Sequence, residues 1–414
     1  MADKPAGPDE MGKAYAEGLK LFLGDEGDGS AVSNVVGVAV GQKWTNGRPA
    51  NGDAVIVLVT QKVADQALPP GDRIHRIWNR RRRGDTGQDK PQVDVLAIGE
   101  VFAGQVGRPT PRYGQATPQA VGGYASAPYA GTAWAEPRYS PAGAPPHPAT
   151  PGAGPEAPMG WLRPALGGCS VGHWLGSTGT MATAVYDLLP GSTVRTRRSG
   201  LGIPCRFHML SNNHVLANSN LAAPGDPILQ PGPYQGGRYP ADVIGRLSRF
   251  MPIVYEDRDT PRRLHRNLVD AAIAEAPFDQ IDREVQWIGR PRGWRRVGQN
   301  DAGLVVQKTG STTHLTFGRI VATNVTVDVD YPNGRVARFR DQILTTPMSE
   351  PGDSGSLVMT MEGEAIGLLF AAGSNGSLLN QIANVRSLLR VEITEPTRRD
   401  GWPPLPESAD DTGS

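Results

Sequence analysis

The chain has 414 residues, a mass of 44.1 kDa, 52 glycines and 37 prolines. A formal net charge of +1 removes the simplest case for a nucleic-acid partner, and the absence of a G-X-Y period excludes a collagen-like chain. Two cysteines, Cys169 and Cys205, make neither a disulfide framework nor a zinc site by thiolates alone, and they are expected to be free, buried thiols.

The N-terminus carries acids and lacks a basic start followed by an apolar core, so it does not read as a secretory signal. No apolar run reaches the length of a membrane span. The expected setting is the cytoplasm, with no membrane association. Met11, Tyr15, Leu19, Phe22 and Leu23 recur at helical spacing before Gly24. Three short apolar runs follow, Val35–Val40, Ala54–Val59 and Val93–Ile98, and their Val and Ile content predicts strands. Arg80 to Arg83 between the second and third reads as a solvated loop, because stacking aromatics do not interleave with it beyond Trp78. Residues 1–103 thus read as a small α/β unit, expected to serve interaction with a protein partner.

From 104 to 160 the composition changes. Gly, Pro and Ala fill 34 of 57 positions, with no Leu, Ile or Phe. Such a stretch buries too little apolar surface to offset its ordering entropy, and it reads as a disordered linker. Residues 161–396 form short β-like runs broken by turn residues. Examples are Thr180–Tyr186, Arg206–Leu210, Leu268–Ala274, Leu304–Lys308, Arg319–Thr326, Val336–Phe339, Ile343–Thr346, Leu357–Thr360 and Ile366–Ala371. Many close-spaced strands predict a mainly β sandwich or barrel. Val385, Leu388 and Leu389 predict one short terminal helix, and 397–414 reads as a polar tail.

Three segments carry chemistry. Gly352-Asp353-Ser354-Gly355-Ser356 precedes an apolar run. A serine nucleophile needs a base within reach, and the oxyanion it creates needs fixed backbone N–H donors. Glycine at 352 permits the sharp turn that presents them. Read alone, the segment fits an ordinary β-turn equally well. Ser211-Asn212-Asn213-His214-Val215-Leu216 supplies an imidazole suited to taking and returning a proton at neutral pH. Leu268-Val269-Asp270-Ala271-Ala272-Ile273 places an aspartate within an apolar run, where its charge must be satisfied. Such a carboxylate orients an imidazole by accepting its Nδ1–H. His173 and His314 read as structural or surface residues, and His208, in the run leading to His214, as a satisfied barrel residue. No HExxH, paired CxxC or Walker loop occurs, so no metal or other cofactor is expected.

With His, Asp and Ser in this order, residues from about 165 to 395 resemble a trypsin-like, chymotrypsin-fold serine peptidase. Lys308-Thr309-Gly310 is similar to a strand–turn region of bacterial members. Gly167-Gly168-Cys169-Ser170-Val171-Gly172-His173 is similar to the bacterial and plant Narrow Leaf type subgroup. The resemblance implies a double β-barrel of two six-stranded halves with the site between them. It implies Ser354 as nucleophile, His214 as general acid/base, Asp270 as its orienter, and the Gly352 and Ser354 N–H groups as oxyanion hole. Met348, in the pocket wall before the serine, and Phe370, Ala371 and Gly373, in the strand beside it, would contact a protein or peptide substrate. No carboxylate at 348 means no strict Lys or Arg preference. The sequence departs from the secreted type in having Asn-Asn-His-Val without a neighbouring cysteine, and no Ile-Val-Gly-Gly terminus to pair with Asp353. The expected activity is serine endopeptidase. The alternatives are a catalytically silent peptide-binding module and a protease that chiefly processes its own linker.

Overall fold

The computed structural model describes residues 8–24, 32, 34–45, 48–63, 67–69, 72–81, 91–104, 160–188, 193–195, 202–204 and 206–394. Nearly all of the expected linker, Cys205, Arg82, Arg83 and the polar tail lie outside the described residues.

The N-terminal apolar runs form strands Val35–Thr45, Arg48–Val59 and Gln92–Ala97. The first two pair antiparallel, and the second and third pair parallel through a crossover that holds the helix Ile74–Arg81. Arg80 and Arg81 therefore end a helix rather than lying in a loop. The helix exists because Ile74 and Trp78, four residues apart, bury one face, and Trp78 stacks on Phe22 at 6.2 Å. The helix Pro8–Leu23 covers one side of these strands through Met11, Ala14 and Phe22 against Val38, Val40, Val55 and Val57. The other side, Ala39, Ala54, Ile56 and Leu58, packs on Phe339 and Phe370 from the C-terminal half. Cover on both faces explains why Ala54–Val59 is an unbroken apolar run.

The chain is mainly β. Six strands close a ring in the second half of the chain. In order around it they are Val305–Gly310, Leu357–Thr360, Glu364–Gly373, Gly376–Gln381, Arg335–Thr345 and His314–Tyr331. The last returns to the first through Val305↔Arg319 to Gly310↔His314. Val306, Ile320, Ile343, Val358, Ile366 and Leu379 fill the interior.

The second sheet runs Val391–Glu392, Ala184–Asp187, Phe207–Ser211, Ala272–Ala276, Val243–Phe250, Pro227–Leu229, Ser170–His173 and Thr178–Thr180. It curls around Val171, Met209, Leu216, Ile228, Ile244 and Leu247. Leu210, Ile273, Leu357, Leu368, Ile382, Val385 and Leu389 join the two sheets and the helix Ile382–Leu389.

The His314–Tyr331 strand is too long for the ring it closes. Where it runs beyond, Ala322 to Val327 pair with Gly41 to Gly37 of the first strand. The N-terminal strands thereby extend the barrel's own sheet. Glycines permit the close approach, since a Cβ at Gly37 would lie 2.7 Å from Thr326 O and one at Gly41 2.9 Å from Val321 O.

Two boundaries differ from those expected. The Thr180–Tyr186 run breaks at 181–183, and the strand after Asp270 begins only at Ala272.

His208 is 1 % exposed, and its Nδ1 has no hydrogen-bond partner among the described residues, so it is buried but not satisfied as a barrel histidine usually is. Burial pushes its pKa from 6.5 down to about 4, against the opposing pull of Asp187 and with weaker help from Arg249 and Arg206. The unfolded chain protonates this ring near pH 6.5 and the folded chain only near 4. The ring's contribution is therefore whole above pH 6.5 and lost as pH falls toward 4, by about 3 kcal/mol. Urea unfolding at pH 7.5 and 4.5 should show a wild-type loss exceeding that of His208→Leu by about 2–3 kcal/mol. Equal losses would reject this account.

Candidate active site

His214 lies in the short helix Asn213–Leu216 that follows the Phe207–Ser211 strand. Its neighbours in sequence pin it. Asn212 Nδ2 donates to Asp270 O at 2.7 Å. Asn213 Nδ2 donates to Asn220 Oδ1 and Met251 O, both at 2.7 Å, and its Oδ1 accepts the Asn220 N–H at 3.0 Å. These amides do the anchoring that a disulfide beside the histidine would otherwise do.

Asp270 is fully buried. Its Oδ1 accepts the His214 backbone N–H at 3.1 Å, and its Oδ2 accepts His214 Nδ1–H at 2.6 Å and the Tyr331 hydroxyl at 2.8 Å. With Nδ1 donating, the neutral ring presents Nε2 as its acceptor. Burial and the Asp270 charge push the Tyr331 hydroxyl well above its ordinary range, so it remains a donor. Tyr331 was not singled out in the sequence. It ends a strand whose length alone carries it to the site, and no local pattern marks that.

His214 Nε2 is buried and has no hydrogen-bond partner among the described residues, so the Ser354 hydroxyl is not bonded to it in this structure. Ser354 is half-buried at the mouth of a cleft of about 440 Å³.

The backbone around Ser354 alternates. Asp353 N–H donates to Glu350 O at 3.0 Å, Gly355 N–H to Leu369 O at 2.8 Å and Ser356 N–H to Asp353 O at 3.0 Å. The N–H groups of Gly352 and Ser354 have no acceptor among the described residues. Two uncommitted donors thus flank the serine, which is the arrangement an oxyanion requires. Positive φ at Gly352 (107°) and Gly355 (97°) makes this turn possible. A Cβ at 355 would fall 2.1 Å from Thr180 O and 2.2 Å from Ser211 Oγ.

The Asp353 side chain fixes the turn. Its Oδ1 accepts the N–H groups of Thr312 and Thr313 at 2.9 and 3.0 Å. Its Oδ2 accepts Lys308 Nζ at 3.0 Å, Thr313 Oγ1–H at 2.5 Å and Glu350 N–H at 3.1 Å. Lys308 and Asp353 are both fully buried. Burial pulls the lysine's pKa down, and Asp353 opposes this. The cation paired with Asp353 is thus internal to the chain. The available signal was a lysine following the apolar Leu304–Val306 within a strand-like run.

The structure brings Ala371 and Gly373 to the cleft wall with Ser349, Glu350 and Leu369. Phe370 and Met348 are not brought there. Strand alternation turns Phe370 into the core, 4.9 Å from Phe339, and Met348 packs with Val306 and Ile320 inside the ring. Thr316 Oγ1 donates to the Met348 carbonyl at 2.7 Å.

His173 bonds Asp226 Oδ2 through Nε2 at 3.1 Å, and burial lowers its pKa. His314 packs edge-on against Trp287. Cys169 is a buried free thiol pushed up to about 11 by burial. Among the described residues, His, Cys, Asp and Glu form no cluster able to hold a metal ion, and no helix is long and apolar enough to cross a membrane.

No protein-family model and no curated protein matches this sequence. Among solved structures it is similar to protease A of Thermobifida fusca, with 14% identity over 55% of this chain and 96% of that chain and a TM-score of 0.35. It is similar to the chymotrypsin of Cellulomonas bogoriensis, with 18% identity over 55% and 97% and a TM-score of 0.35. A third is the Nocardiopsis protease, with 18% identity over 55% and 97% and a TM-score of 0.34. At this level the likeness assigns no role to any residue.

Lys308→Met leaves the Asp353 carboxylate buried without its cation. It should cost about 3–5 kcal/mol in urea unfolding. A loss under 1 kcal/mol would show that the hydroxyl and N–H donors alone satisfy Asp353.

Proposed function

We propose that the chain is a serine endopeptidase that hydrolyses peptide bonds through an acyl-enzyme on Ser354. What supports this is an imidazole oriented by Asp270 with its Nε2 unpartnered, together with a Ser354 turn whose Gly352 and Ser354 N–H groups are uncommitted. His214 holds its Nδ1 proton on Asp270 and leaves Nε2 as base. In the proposed reaction the Ser354 hydroxyl passes its proton to Nε2 as Oγ attacks the scissile carbonyl. The developing oxyanion accepts from Gly352 and Ser354 N–H. His214 then protonates the leaving amine, and water, activated by the same nitrogen, releases the acyl group. The Ser354–Nε2 bond is one that often tightens only with substrate present.

The absence of that bond in this structure favours a second reading, a protease-like module that binds peptides without turnover. The Narrow Leaf resemblance stays with this proposal. A cytoplasmic setting and a protein partner for residues 1–103 are further parts of it.

A fluorophosphonate probe should label the wild type and leave Ser354→Ala unlabelled. Unlabelled wild type of normal thermal stability would favour the silent module. Asp270→Asn removes the charge that stabilises the imidazolium and permits the wrong tautomer. It should lower casein hydrolysis by roughly 10³–10⁴-fold, and a decrease under tenfold would remove Asp270 from the mechanism.

A further inference from the structure

The cleft beside Ser354 is lined in part by the chain's own residues 100–104, namely Glu100, Phe102 and Gly104. Phe102 N–H donates to Ala372 O at 3.0 Å, and Ala372 N–H donates to Phe102 O at 3.0 Å. This is an antiparallel pairing with the Glu364–Gly373 strand at the cleft edge. On its other side the segment pairs with the end of the long strand. Ala103 N–H donates to Asp330 O at 2.9 Å, and Asp330 N–H to Val101 O at 2.8 Å.

Side chains alternate as in a strand. Val101 and Ala103 are buried in the core, while Phe102 is 36% exposed. At the far end Gly104 reaches the catalytic histidine, since a Cβ built there would lie 3.7 Å from His214 Cδ2.

We propose that residues 100–104 occupy the place of a substrate strand, so that a polypeptide substrate binds only by displacing them. The inference rests on the peptidase reading, because it concerns the same cleft. An extended polypeptide adds to a sheet edge through main-chain hydrogen bonds. At Ala372 both main-chain groups are already engaged by Phe102. A small electrophile that reaches only Ser354 needs none of those bonds. The occupant therefore competes with long substrates and much less with small ones. Apparent substrate affinity is reduced by the fraction of time the segment is in place.

Phe102→Pro removes the N–H given to Ala372 and alters an exposed side chain. In the full chain, the rate of fluorescein-casein hydrolysis, divided by the rate of fluorophosphonate labelling, should rise about two- to tenfold. An unchanged or lower ratio in a folded variant overturns the proposal. Labelling of neither protein instead counts against the peptidase reading. A measurement that does not rely on the variant is hydrogen–deuterium exchange in full-length Ser354→Ala. Saturating casein should speed exchange at Phe102 and Ala103 at least threefold while Ala372 stays protected. Slow exchange at Phe102 that persists with casein bound overturns the proposal.

Discussion

A carboxylate without access to water must be surrounded by donors, and Asp270 draws its donors from both sheets. The His214 N–H and Nδ1–H reach it from the short helix that follows a strand of the second sheet. The Tyr331 hydroxyl reaches it from the end of a strand of the ring. Its own N–H is taken by Asn380, which is bonded in turn to Gln342, whose amide donates to Leu268 O. Removing a donor leaves a buried carboxylate less fully satisfied, which costs about 1–3 kcal/mol. The network thus fixes the two sheets against each other and fixes the imidazole at the same time. Position and tautomer of His214 follow from one buried carboxylate.

The same logic repeats at Asp353 on the other side of the cleft. Five donors converge on its two oxygens, three of them from the segment Thr312–Thr313 and one from Lys308. That carboxylate holds the turn in which alternate N–H groups are consumed by the protein and alternate ones are left for a ligand. Two buried carboxylates therefore organise the candidate site, one holding the imidazole and the other the serine turn. Each relies on hydroxyls and amides that read as unremarkable polar residues in sequence.

The triad candidates were legible because each combines a rare residue choice with a contrast to its surroundings. Asp270 stands out in an apolar run, His214 after a strand, and Ser354 between glycines. What escaped was set at long range. Tyr331 and Asn380 lie 61 and 110 residues from Asp270 in sequence and meet it only through barrel closure. Phe370 and Met348 are expected at the cleft only through the resemblance, and for Phe370 the inward or outward side of a strand depends on register, which one residue inverts. The N-terminal strands were legible as strands. Their attachment was not, because pairing across nearly three hundred residues leaves no periodic trace. Glycines at 37 and 41, where the backbones approach, were the local mark of it.

That attachment changes how the cleft is to be understood. The segment reaching Ala372 leaves the Gln92–Ala97 strand only a few residues earlier, and that strand belongs to the sheet that the long His314–Tyr331 strand extends. A peptide held on so short a tether presents itself at an effective concentration on the order of millimolar or above. Its competition with substrate is then set by the stiffness of the sheet that carries it. The ladder from Gly37↔Val327 to Gly41↔Ala322 is a mechanical link between residues 1–103 and the cleft. Tightening that ladder holds the occupant in register, and loosening it lowers the effective concentration without touching a single residue of the triad.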